Sequence, residues 1–189
     1  FRSHGHGLRK DLAEKLEQMH PSFLRFPGGC IVEGFTLETS MFFCNTVGPV
    51  WERPSHWLLW HYHTTNGLGF HEYLQLCEDL KLSALYVCNC GMTCQGRGPY
   101  YFNENQMQFA ISDTLNALEY ALGSSQTHWG SLRAKMGHPE PFSLKYLEIG
   151  NENSGTEYEA CFNRIREAVL ERYPQIIIVS NTRSETIKT

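Results

Sequence analysis

The chain reads as an α/β protein built on a parallel sheet, and three observations carry that reading. Apolar residues return at helical spacing four times along its 189 residues. Each helical stretch is followed by a near-continuous apolar run of strand length. Polar or glycine-rich residues stand where every run ends. Strands that are apolar on both faces belong to parallel sheets covered by helices, so the pattern predicts repeated helix-strand units.

Leu8, Leu12, Leu16 and Met19 form one face of a predicted first helix, which Pro21 stops. Phe23, Leu24, Arg25 and Phe26 follow as a short buried strand before Pro27-Gly28-Gly29. The second unit pairs a helix bearing Phe70, Tyr73, Leu74, Cys77 and Leu80 with the strand LSALYVCNCG, Leu82 to Gly91. In the third, Ile111, Leu115, Leu118 and Leu122 precede Gly123, and after a long loop comes LKYLEIG. The fourth sets Tyr158, Cys161, Phe162, Ile165 and Val169 on one face, then Pro174 and the run QIIIVSN. The connections Ile31 to Leu68 and Gly123 to Phe142 exceed ordinary loop length and are rich in Trp, Tyr, His and Pro, which marks them as functional loops.

Two architectures fit such units. A doubly wound sheet usually carries an early glycine-rich phosphate turn, and neither GxGxxG nor GxxxxGK[ST] is present. A (β/α)8 barrel places chemistry at the carboxyl ends of many strands, and here those ends read RFPGGC, CNCGM, GNEN and SNT. The reading is therefore a partial (β/α)8 TIM barrel of about four parallel strands with covering helices. Half a barrel would leave two apolar edges unpaired. With Phe1 at the start in place of Met, this predicts an internal fragment of a larger catalytic domain across residues 1–189.

Composition narrows the function classes. The chain is 41% hydrophobic and 19% charged, ordinary for a globular protein. A net charge of -4 offers no basic field for a phosphate backbone, so no nucleic-acid partner is expected. No apolar run reaches the roughly 18 residues a membrane helix needs, so no membrane partner is expected either. Seven cysteines cannot all pair within the chain, and Cys77 and Cys161 fall on apolar helix faces as free thiols.

The segment KYLEIGNENSG, Lys145 to Gly155, sets Asn151, Glu152 and Asn153 where a buried strand ends. A carboxyl there suits protonation of a leaving oxygen, and Asn151 beside it can donate and accept hydrogen bonds to a sugar hydroxyl. Arg25 lies within an apolar strand, where a guanidinium needs a carboxylate or carbonyl partner; Glu148 or Glu152 would supply it. Other carboxylates that position brings forward are Glu33, Glu52 and Glu72. Glu72 opens a helix, where it suits the macrodipole.

LRFPGGC (24–30), TVGPVWERP (46–54), GLGFHEYLQLCEDL (67–80), RAKMGHPEPFSLKYLEIGNEN (133–153) and the final SNT together resemble the α-L-arabinofuranosidases of glycoside hydrolase family 51. The resemblance spans nearly the whole chain. It implies a (β/α)8 catalytic barrel followed by a β-sandwich, removal of terminal non-reducing α-L-arabinofuranosyl groups from arabinose-containing glycans, and retention through a covalent intermediate. Carried over residue by residue, it implies Glu152 as general acid/base, with Asn151, Arg25 and Cys30 as substrate-binding residues. The present strands then correspond to strands two to five, with the nucleophile glutamate and the β-sandwich outside the chain. It implies no metal or organic cofactor and leaves room for a homo-oligomeric parent. Two features depart from many relatives: MFFCNTVG is less basic and lacks a Trp, and Ser154 stands where an aromatic is frequent.

Other clusters read more plainly. Cys88, Cys90 and Cys94 have CxCxxxC spacing, unlike the usual zinc pair, and read as packing. His4 with His6 and His61 with His63 read as loop residues. Trp51, Trp57, Trp60, Tyr62 and Trp129 can stack on sugar rings or pack into the fold. The rival readings are another barrel glycosidase, a β-xylosidase or an endoglucanase, and a non-catalytic carbohydrate-binding remnant.

Overall fold

Four parallel strands form the central sheet: β1 (Phe23–Phe26), β4 (Ser83–Cys88), β5 (Leu144–Ile149) and β6 (Ile177–Val179), in the order β1-β4-β5-β6. The computed structural model describes residues 3–6 and 8–183. A two-stranded antiparallel hairpin, β2 (His56–Trp57) and β3 (His63–Thr64), stands apart from it. The helices are α1 (Lys10–Gln18), the short α2 (Cys30–Glu33), α3 (Phe70–Asp79), α4 (Glu104–Leu122), α5 (His128–Lys135) and α6 (Thr156–Arg172). All three strand pairings are parallel, so every strand ends on the same side of the sheet. The expected α/β class, as part of a (β/α)8 barrel, is what the chain forms.

Register explains how strands so apolar still serve two faces. Phe26, Tyr86 and Leu147 are neighbours across β1, β4 and β5, and all three belong to the core packed by the helices. The alternate rows carry Arg25 beside Leu85, and Val87 beside Glu148 and Val179. Because strand side chains alternate, Arg25 and Glu148 share the face opposite the helical core. That face would be the barrel interior, and it delivers one cation and one carboxylate to the polar strand ends.

The helical layer is held by Phe70, Leu74 and Cys77 from α3, Ala117, Leu118 and Ala121 from α4, and Tyr158, Phe162, Ile165 and Val169 from α6. The Leu, Ile, Val and Phe side chains among them typically contribute about 1.5–3 kcal/mol each when fully buried. Asn103 caps α4, its side chain accepting from the Gln106 backbone N–H, and Thr127 caps α5 through Gly130 N–H.

Several expectations need correcting. The apolar ridge of α1 is not buried: Leu12 and Leu16 are exposed, as is Met19 past its end, and Ala13 is the buried residue of this helix. The ridge lines a groove shared with Val50, Trp51 and Leu68. β1 and β6 are only partly covered because, among the described residues, they are the edges of the sheet. The stretch from Gly123 to Phe142 is not a structureless loop, since it contains α5. Arg133 on α5 is wholly buried and donates to the carbonyls of Tyr120, His138 and Pro139, and this fixes the path of the segment. The Ile31 to Leu68 connection is similarly tied down. Buried Asp113 of α4 accepts from Phe43 N–H at 2.7 Å and Cys44 N–H at 2.9 Å, while Arg53 clasps both carboxylate oxygens of Glu72 at 2.8 Å. Glu72 also accepts from Gly69 N–H and so closes the N-terminus of α3.

Candidate active site at the strand ends

The site grows from β5. Its last residues place Glu148 on the interior face, then Gly150 turns the chain with φ of 83°. A side chain at Gly150 would collide with Asn153 Oδ1, so the turn requires glycine here. Asn151, Glu152 and Asn153 follow as a compact loop, in which Asn151 N–H donates to Asn153 Oδ1 at 2.7 Å.

Arg25 meets this loop from β1. Its Nε donates to Glu148 Oε2 at 2.6 Å, and its Nη2 donates to Glu148 Oε1 at 2.8 Å and to Asn151 Oδ1 at 2.9 Å. The Glu148 hydrogen bond, foremost, raises the guanidinium pKa further above its ordinary value. A bidentate pair of this kind fixes both partners more tightly than a point charge can. Asn181, just beyond β6, completes the brace by donating to Gly150 O at 3.2 Å and Glu148 Oε1 at 3.4 Å.

The RFPGGC turn approaches from the other side. Gly29 lies so close to Asn151 that a Cβ there would overlap the amide side chain. Cys30 Sγ accepts from Asn151 Nδ2 at 3.5 Å and its thiol points to Glu152 Oε2 at 3.7 Å. Burial, then the neighbouring Cys94, Glu33 and Glu152, push the Cys30 thiol up to about 12, so it stays protonated at neutral pH.

Glu152 itself is exposed and sits at φ of 54°. A non-glycine residue in the left-handed region is disfavoured by about 1–2 kcal/mol and signals a position held by its surroundings. The four predicted site residues Arg25, Cys30, Asn151 and Glu152 therefore converge on one rim. Glu148 is the partner of Arg25, as its position within the strand suggests.

Three further residues belong to the site. Glu33, wholly buried, accepts from Asn153 Nδ2 at 2.7 Å, and burial above all raises its pKa to about 7. Asn153 and Asn181 orient the loop. The repeated asparagines of GNEN and SNT were the available signal for the two amides; Glu33 offered only its proximity to RFPGGC.

The aromatic candidates separate. Trp57, Trp60 and Tyr62 are exposed on or beside the β2-β3 hairpin, and Trp51 is 85% exposed. Trp129 is not a wall for a sugar: it packs edge-on against Phe43 at 5.0 Å beside the core. Cys88 and Cys90 are core residues, as the packing reading has it, whereas Cys94 lies beside Cys30 and Glu33. His4 and His6 both approach Asp79, and Ser154 N–H is held by Gln95 Oε1 at 2.9 Å.

A parallel α/β sheet whose carboxyl ends gather a braced carboxylate, amides and an exposed glutamate defines a barrel protein with a built polar rim. Comparison with known proteins then gives the family. The chain belongs to the family described as the alpha-L-arabinofuranosidase 1 domain, whose model matches residues 15–188. It is 40% identical over 194 residues to an extracellular exo-alpha-L-arabinofuranosidase of Streptomyces chartreusis, covering 96% of this chain and 24% of that protein. Alpha-L-arabinofuranosidase 1 of Arabidopsis thaliana is 41% identical over 179 residues, covering 94% of this chain and 26% of the plant protein. An arabinose-bound GH51 α-L-arabinofuranosidase superposes with a TM-score of 0.87 at 36% identity, over 95% of this chain and 28% of that one. The arabinose complex of the Thermotoga maritima enzyme gives 0.71 at 26% identity, over 92% and 34% respectively. The chain thus spans about a quarter of the length of these curated relatives.

Proposed function

We propose that this chain supplies the acid/base side of a retaining glycoside hydrolase that removes terminal α-L-arabinofuranosyl groups from arabinose-containing glycans. The observation that carries the reading is the brace from Glu148 through Arg25 to Asn151, which sets Glu152 at the rim with one carboxylate oxygen beside Cys30. In this reading Glu152 protonates the departing glycosidic oxygen and later takes a proton from the incoming water. Asn151 and Cys30 hold sugar hydroxyls. Arg25 orients Asn151 and adds positive charge near the reacting centre.

Retention needs a second carboxylate roughly 5–5.5 Å from the first. Glu148 is committed to Arg25, and Glu33 is wholly buried and bonded to Asn153. Neither is free to act, and the resemblance to family 51 assigns the nucleophile, the remaining barrel strands and a β-sandwich to parts of the intact protein outside these 189 residues. Relatives named as arabinofuranosidases and arabinose-bound neighbours support the substrate class. The test is to assay the intact protein on paired chromogenic α-L-arabinofuranoside and β-D-xyloside substrates. The reading expects turnover of the arabinofuranoside; preference for the xyloside would favour the β-xylosidase alternative.

A further inference from the structure

Beside the polar rim lies a cluster that the proposed chemistry does not use. Cys30 Sγ, Cys94 Sγ and a carboxylate oxygen of Glu33 all lie within 4.8 Å of one another. Glu33 and Cys94 are buried, while Cys30 is partly open toward Glu152. One oxygen of Glu33 accepts from Asn153, and the other, Oε2, is buried without a hydrogen-bond partner. A buried carboxylate oxygen left unsatisfied is uncommon and calls for an occupant or a proton. Cys94 and Glu33 both help to keep the Cys30 thiol protonated.

We propose that Cys30, Cys94 and Glu33 form a binding site for one thiophilic d10 dication of the zinc type, open on the side of Glu152. Two thiolates and a carboxylate are a donor set that such ions accept, with bonds near 2.3 Å to sulfur and about 2.0–2.2 Å to oxygen. Tetrahedral placement then needs the donors about 3.5–3.8 Å apart. Starting within 4.8 Å, the donors need a contraction of at most about 1.0–1.3 Å, within reach of side-chain rotation. On binding, the two thiol protons, and the Glu33 proton where it is held, pass to solvent. The fourth position faces the rim, which also serves as the route of entry.

The site stands independently of the chain's activity. Its consequence rests on the proposed function: a bound ion removes Cys30 from the sugar pocket and so inhibits competitively. Titrating cadmium into the reduced intact protein and reading the sulfur-to-cadmium charge-transfer absorbance tests the site. One equivalent is expected to bind, the signal to disappear in Cys94→Ser, affinity to fall about tenfold or more in Glu33→Gln, and Cys44→Ser to behave as wild type. Zinc should also protect Cys30, the partly open thiol, from alkylation in the unmutated protein, mapped by mass spectrometry, a readout that needs no variant to fold. Undiminished absorbance in Cys94→Ser, or no protection of Cys30, would overturn the site. Zinc should raise KM for arabinofuranoside in the wild type and not in Cys94→Ser. Cadmium binding without any arabinofuranoside turnover would leave the site standing and remove the functional reading alone.

Discussion

Arg25 and Glu148, 123 residues apart in the chain, meet through two hydrogen bonds of 2.6 and 2.8 Å on the interior face of the sheet. The guanidinium then spends its remaining reach on Asn151. This one residue couples strand β1, strand β5 and the loop that carries Glu152.

Removing one side of that pair should damage position and stability together. Glu148→Gln keeps the shape and one acceptor oxygen but removes the negative charge, and Glu148→Ala leaves a partly buried guanidinium without any partner from this residue. We expect losses of about 1 and about 3 kcal/mol, measured by thermal or denaturant unfolding of the intact protein. Misplacing the loop by even about 1 Å should lower kcat/KM by on the order of a hundredfold. An alanine variant with unchanged stability and kinetics would show that the brace is incidental.

Glu33 should leave a signature in the pH dependence of stability. Burial holds its carboxyl protonated up to about 7 in the fold, against an ordinary value of 4.5. Between those values the folded state binds more protons than the unfolded state, so stability falls as pH rises through this window and levels off above it. The shift corresponds to about 3 kcal/mol. Glu33→Gln mimics the protonated form and keeps an acceptor for Asn153, so its melting temperature should fall less than that of the wild type between about pH 5 and pH 8. Asp113, raised to about 6, titrates in both proteins and cancels in the comparison. Parallel curves for the two proteins would refute a raised Glu33 pKa.

The left-handed backbone at Glu152 predicts a trade between stability and activity. Glycine adopts that conformation without a Cβ clash, so Glu152→Gly should match or exceed wild-type stability, by up to about 1 kcal/mol, while losing the acid. A marked loss of stability in this variant would mean that the Glu152 side chain is structural.

Much of this was legible before any coordinates. The four helix-strand units and the strand ends needed only apolar spacing and punctuation, and Arg25 within an apolar run announced a carboxylate partner. What escaped was set by tertiary context. Helix α5 escaped because its core face rests on Trp129, Leu132 and a buried Arg133, leaving no apolar period to read. The apolar face of α1 was legible, but periodicity reports amphipathicity and not what covers it. Glu33, Cys94 and Asn181 join the site through turns that bring distant segments together, which spacing alone does not encode. Trp129 and Trp60 looked alike in sequence, and only packing separates a core edge from an exposed hairpin.

Residues 1–189 alone should not hydrolyse arabinofuranosides, because the second carboxylate is assigned elsewhere. Expressed alone, the chain should also self-associate through the uncovered edges of β1 and β6. Size-exclusion chromatography and a parallel assay against the intact protein check both. Turnover within about tenfold of the intact protein, roughly 1.4 kcal/mol in barrier, would place the nucleophile inside this chain.

The central claim, that Glu152 is the acid/base, is tested most directly by Glu152→Ala in the intact protein, assayed on arabinofuranosides with good and poor leaving groups, with and without azide. An activated aryl group departs with little proton assistance, whereas an alkyl or sugar leaving group requires it. The account predicts that first-step loss will be confined largely to poor leaving groups, and that azide will restore turnover of the activated substrate by attacking where water can no longer be deprotonated. Equal losses on both substrate types with no azide rescue would contradict it.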